Sequence, residues 1–365
     1  MKAGKLFSGY DPYILLSVIF LIIWSIINIY SATIHEYKNL YLKQALYGTV
    51  GILILLILPK VDYRKIVNIS PFVYLIGVLS LVAVIFAGTT ILGAKRWISL
   101  GLFTIQPSEF MKFVLIITTA YILGSGKEKV NTKKMITAGL IAGIPFFLTM
   151  KQPDLGTAVT LLIPVAVMLF VGGLSKKIIY GIIVAGILSS PFIWDHLKDY
   201  QKKRITAFIN PEADPFKSAY HILQSKIAVG SGQITGKGFL QGTQSKLFFL
   251  PEQHTDFIFA TIGEEWGFIL SSLILLIYLI LGLRIFYWGI KVKDPEGKYI
   301  CFGAGSLILV QAFINIAMTI GLAPVVGITL PFLSYGGSSM VTFSLIIGIV
   351  LSVIRVHKME KLHFS

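Results

Sequence analysis

The chain has 365 residues, of which 55% are hydrophobic and only 13% charged, against about 25% charge in a soluble domain. With a mean hydropathy of +0.79, it is not an ordinary soluble enzyme. The formal charge of +15 does not indicate a nucleic-acid partner, because the 32 Lys and Arg residues are scattered between apolar runs with no compact basic domain. A single cysteine, Cys301, excludes a disulfide framework and a multi-cysteine metal site.

In chain order, apolar blocks able to cross a hydrocarbon core of about 30 Å fall at 12–31, 40–58, 71–88, 108–124 and 135–150. The second half adds 156–174, 178–193, 257–286, 299–320 and 339–355. They predict an all-α, polytopic integral membrane protein with about ten transmembrane helices, a single transmembrane domain over 1–365. The first block lacks a small-residue cleavage site and is too long for a signal-peptide core, so it reads as a retained span. An even number of spans places both termini on one side.

The basic residues set that side. Eighteen Lys and Arg lie in the termini and connections facing it, whereas the short connections on the other face hold four: Lys38, Lys95, Arg96 and Lys151. Since Lys and Arg resist translocation, both termini are predicted to be cytoplasmic. Residues 194–256 contain no span and form one large extracytoplasmic loop. Its aromatics, Tyr200, Phe208, Phe216, Tyr220, Phe239, Phe248 and Phe249, read as ordered structure. Its eight basic residues against Asp195, Asp199, Glu212, Asp214 and Glu252 suit an anionic partner. There is no internal repeat, and the glycines at 230, 232, 236 and 238 match no phosphate-loop or dinucleotide spacing.

Ionisable residues in spans cost roughly 2.5–3.5 kcal/mol each at a helix centre, so each demands a reason. Glu109 and Lys112 are three apart, on one helical face. They form either a packing ion pair or a polar cavity in which Lys112 meets an anion. Asp154, in the turn Lys151-Gln152-Pro153-Asp154-Leu155-Gly156, reads locally as a helix cap. Glu252, His254 and Asp256 gather where the long loop meets the eighth span. There Asp256 is either an N-terminal cap or a partly desolvated general base. Glu264 and Glu265, about 12–13 Å deeper by helical rise, must face polar surroundings or be protonated.

The chain resembles the SEDS family of polytopic cell-wall proteins (shape, elongation, division and sporulation). The resemblance rests on Gly93-Ala94-Lys95-Arg96-Trp97-Ile98, on Gln106-Pro107-Ser108-Glu109 running on to Lys112, on Gln152-Pro153-Asp154-Leu155-Gly156, on the segment 249–263, and on Pro324 to Ser339. Gly236-Lys237-Gly238, Gly242-Thr243-Gln244-Ser245 and Pro251-Glu252-Gln253-His254 are similar to the elongation branch rather than the division branch.

The resemblance implies a peptidoglycan glycosyltransferase that polymerises lipid II, a disaccharide-pentapeptide on undecaprenyl diphosphate, during elongation and cell-shape maintenance. It implies the cytoplasmic (inner) membrane with the active site on the extracytoplasmic face. The partners implied are a class B penicillin-binding protein as transpeptidase, other elongation-machinery membrane proteins and membrane lipids, with no nucleic acid. A divalent cation, Mg or Mn, is implied as the only cofactor, with no organic cofactor and no metal ligand named. The family's essential loop aspartate falls on Asp256, its membrane pair on Glu109 and Lys112, and its aspartate after Gln-Pro on Asp154. Lys95, Arg96 and Arg204 are the outer cations for a leaving diphosphate, and His254 adjoins the base. Two other classes fit part of the pattern: a lipid II flippase with Glu109 and Lys112 along its path, and a non-enzymatic scaffold of the elongation machinery.

Overall fold

A computed structural model of the chain describes residues 9–34, 39–91, 94–99, 101, 104–125, 130–197, 199–210, 219–247, 249–250 and 252–363. Of the residues singled out above, Lys38, Gly93, Glu212, Asp214, Phe216, Phe248 and Pro251 lie outside them.

The ten apolar blocks are ten helices. The first five are α1 (Pro12–Thr33), α2 (Leu40–Ile57), α4 (Ser70–Ala87), α5 (Pro107–Gly124) and α6 (Thr132–Lys151). The second five are α7 (Leu155–Val171), α8 (Lys176–His196), α12 (Ile258–Lys291), α13 (Pro295–Thr319) and α14 (Gly337–His363). Eight of the ten, among the described residues, are long and apolar enough to cross a membrane; α7 is shorter and α8 is not among the eight. Prolines at the first turn of α1, α4, α5 and α13 place a missing N–H where no intrahelical partner exists. Asp11, Asn131, Asp154, Ser175 and Asp294 cap α1, α6, α7, α8 and α13 through side-chain oxygens. A short α3 (Tyr63–Asn68), capped by Asp62, links α2 to α4.

Burial does not follow hydropathy alone: α6, at 1.2, is only 22% buried, whereas α14, at 2.2, is 78% buried. Helix α5 has a mean hydropathy of 1.2, as low as any candidate span, yet 72% of it is buried; α4, at 2.3, is 17% buried. In a bilayer the apolar helix can face lipid at no cost, while polar side chains must turn toward other protein. Helices α5, α13 and α14, 72%, 72% and 78% buried, form the centre of the bundle, and it is there that the polar side chains of α5 find protein partners. On α4 and α6, Phe72, Leu75, Phe86, Leu140 and Phe147 remain exposed on the lipid-facing side.

Two departures from a purely helical reading bear on the site. The connection before α5 is a small antiparallel sheet of β1 (Thr89–Ile91), β2 (Ala94–Ser99) and β3 (Thr104–Ile105), in which Thr90 pairs with Lys95 and Ile98 with Ile105. Short strands of this kind carry no span-length hydropathy and so leave no mark at that scale. Second, α12 is broken at Gly267, whose φ of 69° and ψ of −165° lie outside the helical region and suit glycine alone. A turn of the long loop fills the break: Lys237 and Gly238 N–H donate to the carbonyls of Glu264 and Glu265 (3.0 and 2.9 Å). Phe268 and Ile269 N–H in turn donate to Gln233 and Ile234 (2.9 and 3.2 Å). The loop also holds α9 (Asp199–Ile209), α10 (Tyr220–Ser231) and α11 (Thr243–Lys246).

Candidate active site

A cavity of about 940 Å³ opens where the sheet, the starts of α5, α7 and α12, the loop helices and the 324–339 segment meet. Asp256, Glu109, Asp154, Arg96 and Arg204 all line it, so residues spread across most of the chain converge on one space. The hairpin delivers Arg96, whose guanidinium pairs with Asp154 at 3.3 Å. Asp154 also accepts from Gln106 Nε2 at 2.9 Å and caps α7 through Thr157 N–H at 3.1 Å. The capping expected of Asp154 and its place beside the cavity are thus the same arrangement.

Asp256 does not cap α12. Phe257 occupies the cap position, without a side-chain bond, and the carboxylate faces the cavity instead. Its backbone is held on two sides. Asn315 Nδ2, from the middle of the bundle, donates to the carbonyls of Asp256 (3.0 Å) and Ile328 (2.7 Å). The flanking residues are tied to the 324–336 segment by Ser334 Oγ to Thr255 O (2.6 Å) and Tyr335 N to His254 O (2.8 Å). Gly327, at φ 72°, brings backbone past the site, and a Cβ there would stand 3.4 Å from Asp256 Oδ2 and 3.8 Å from Arg204.

Asp256 is half-buried and lines the cavity, and protein packed around its carboxyl withdraws bulk solvent. This burial, with the negative charge of Glu252 beside it, pushes its pKa up to about 7; Arg96 and Arg204 pull the other way and Asp154 adds a further upward push. A carboxyl poised there exchanges a proton near neutral pH. Among the described contacts no hydrogen bond or ion pair occupies its oxygens. Glu252 sits in the left-handed region (φ 51°) and accepts from Thr255 Oγ1 at 2.9 Å. His221 lies parallel to Phe257 in the cavity wall, and burial together with Arg204 lowers its pKa.

The remaining expected residues lie off the lining. Lys112 is fully buried behind Glu109, bonded to it at 2.5 Å and 5.6 Å from the centre of the Phe343 ring. One Glu109 oxygen takes that bond and the other, Oε2, has no partner among the described residues. Lys95 points to the Phe86 carbonyl at 2.7 Å. His254 packs its ring against Tyr335, 5.7 Å between centroids. Residues that sequence reasoning passed over are Gln106, Asn315 and Gly327. Asn315 had a usable signal: an amide in an apolar span must bond to something.

Glu264 and Glu265 face the inserted loop and not the cavity. Glu264 Oε1 accepts from Lys237 Nζ (2.7 Å), Thr243 N (2.8 Å), Thr243 Oγ1 (3.0 Å) and Gln244 N (3.0 Å), and Glu265 accepts from Ser31 Oγ (2.5 Å). They hold the plug in the broken helix.

Residues 11–359 match the model of the cell cycle protein family of FtsW, RodA and SpoVE. The peptidoglycan glycosyltransferase MrdB of Escherichia coli K12 is 35% identical over 350 residues, covering 96% of this chain and 94% of its own. A probable peptidoglycan glycosyltransferase FtsW of Geobacter metallireducens is 36% identical, covering 94% of each. Among solved structures, a chain of a peptidoglycan synthase complex that coordinates polymerization and crosslinking aligns with a TM-score of 0.82 at 27% identity, covering 95% of this chain and 98% of the other. Rod shape determining protein RodA of Thermus thermophilus aligns with a TM-score of 0.71 at 25% identity, covering 95% and 97%.

Proposed function

For a chain that belongs to the FtsW, RodA and SpoVE family of cell cycle proteins, we propose that Asp256 is the general base of glycan polymerisation. The enzyme is a peptidoglycan glycosyltransferase embedded in a membrane by multiple spans. In this reading the substrate is lipid II, whose polyprenyl tail stays in the bilayer while its diphosphate and sugars reach the cavity. The role in elongation and cell shape follows the similarity to RodA. The cavity then faces the cell exterior or periplasm, and both termini are in the cytoplasm of the inner membrane.

The observation that carries the assignment is a carboxylate poised near neutral pH in one cavity with two guanidiniums. Asp256 takes the proton of the acceptor sugar's 4-hydroxyl as that oxygen attacks the donor's anomeric carbon. The bond to the diphosphate breaks, and its electrons leave with the phosphate oxygen. Arg96 and Arg204 bind that developing charge through charge-assisted hydrogen bonds. Attack opposite an α-linked diphosphate yields a β-1,4 linkage. Glu109, with Lys112 behind it, borders the cavity where the acceptor or diphosphate approaches from the bundle.

Among the described residues no three His, Cys, Asp or Glu side chains gather as metal ligands. Glu252 is a second carboxylate facing the cavity, and its oxygens fit a magnesium-type ion completed by phosphate oxygens and water. Glu252 would hold it, and it would supply neutralising charge to the diphosphate. A class B penicillin-binding protein is the proposed partner, crosslinking the strands made here, alongside other membrane proteins of the elongation machinery.

The test is polymerisation by the purified chain with lipid II, with and without such a partner, comparing native and Asp256→Asn proteins on a glycan gel, with folding monitored by thermal melting. Polymer from the native protein and none from a folded Asp256→Asn supports the proposal. Polymer from both removes Asp256 as the base, and no polymer from the native protein with its partner and divalent cations returns the weight to a flippase or scaffold.

A further inference from the structure

The end of the bundle remote from the cavity holds a second cluster of chemistry. Helix α12 starts beside Asp256 and ends at Lys291; α1 runs oppositely, its Ala32 carbonyl accepting from Gln253 at the cavity end. The start of α1 therefore meets the end of α12, and there a cleft of about 300 Å³ is lined by Tyr13, Ile280, Leu283, Arg284 and Tyr287.

Asp11 fastens Arg284 in this cleft. Its Oδ2 accepts from Arg284 Nε at 2.8 Å and Trp288 Nε1 at 2.7 Å, while Oδ1 accepts the N–H groups of Tyr13 and Ile14. Four donors thus satisfy the one carboxylate, and the Nη groups of Arg284 carry no bond among the described residues. The guanidinium is boxed by Tyr13, Tyr287 and Trp288, with its carbon 4.9, 4.8 and 5.9 Å from the ring centres. Lys291 lies 4.8 Å from the same Tyr287 ring. Toward the middle of the span the cleft continues along exposed apolar surface, with Leu283 55% and Ile280 40% accessible.

We propose that this cleft binds an anionic membrane phospholipid, with its phosphate on the Arg284 fork, Tyr287 and Lys291, and its acyl chains along Leu283 and Ile280. Charge and shape both select it. An oriented guanidinium with unused N–H groups is a phosphate ligand, and cations at the rim of an apolar groove between membrane helices match a headgroup above its tails. A zwitterionic lipid brings its own ammonium among these cations and is disfavoured. Free phosphate leaves the apolar wall unused. By linking α1 to α12, the lipid clamps the helix whose other end presents Asp256.

The full chain, purified in detergent and mixed with phosphatidylglycerol and phosphatidylcholine, would be read by native mass spectrometry for retained lipid. Phosphatidylglycerol is expected to be retained at least about fivefold over phosphatidylcholine, the effect of one cation near an anionic surface. Lys291→Gln, at the exposed rim with no buried partner, lowers that retention about fivefold; Arg284→Lys, which keeps the charge opposite Asp11 but loses the fork, lowers it at least as much. Equal retention of the two lipids, no change in either variant, or displacement by millimolar inorganic phosphate would overturn the proposal. The cleft is separate from the cavity, so none of these outcomes bears on Asp256.

Discussion

Asp256 and Glu264 stand eight residues apart, on either side of the start of α12, and the protein treats their carboxylates in opposite ways. Glu264 is completely buried and one of its oxygens gathers four donors from the plug. Asp256 has its backbone held by Asn315 while its carboxylate is left facing a cavity. A buried carboxylate whose hydrogen bonds are made inside the protein is a structural clamp. One that is immobilised through its main chain but lacks donors at its oxygens is ready to take a substrate proton. Depth in the membrane does not separate the two roles; the allotment of donors does.

That contrast can be broken directly. The largest expected effect is Asp256→Asn, which preserves shape and removes the proposed base. It lowers polymerisation by at least about 100-fold with an unchanged melting temperature, measured by product on a gel beside a thermal scan. Glu264→Leu is expected to do the converse. It leaves Lys237 and two backbone N–H groups of the plug without their acceptor, and since Lys237 is a quarter exposed the loss falls near the low end for a buried pair, ~3 kcal/mol. Thermal melting should drop while the fraction that remains folded keeps its activity.

Gly327→Ala sharpens the comparison at intermediate size. Its φ of 72° is unfavourable for alanine, and the new methyl presses toward Asp256. A small displacement of the base is expected to lower kcat about tenfold with little change in KM. The smallest effect is a shift in pH dependence. Because the Asp256 pKa is raised to about 7 and a base works deprotonated, the rate should rise through that pH and level above it. Glu252→Gln removes a like charge that raises the pKa, so the midpoint moves to lower pH; a midpoint unmoved or moved upward would deny Glu252 that influence.

Much of this was readable in the residues. The ten helices begin within a few residues of the apolar blocks, as Pro12, Pro107 and the caps Asp11, Asp154 and Asp294 mark their starts, while α12 and α14 run on past the apolar stretch to Lys291 and His363. Glu109 and Lys112 pair on one face as their spacing requires. The break at Gly267 was not readable, because Glu264 to Phe268 has the hydropathy and neighbours of a continuous helix. The backbone donors of Lys237 and Gly238 and the carbonyls of Gln233 and Ile234, brought from the loop, stabilise the non-helical conformation. Lys95 and Arg96 look equivalent as neighbours, yet strand alternation aims one at the Phe86 carbonyl and the other at Asp154.

By itself, the sequence determined the spans, the resemblance to a family and the residue types capable of the chemistry, since hydropathic length and local capping are properties of contiguous stretches. Which of those residues share a cavity was decided by tertiary structure. Arg96, Asp154, Arg204, Asp256 and Gly327 meet only when the hairpin, the long loop and four helix ends are packed together, and the raised pKa of Asp256 comes from the burial and charges that this packing alone creates.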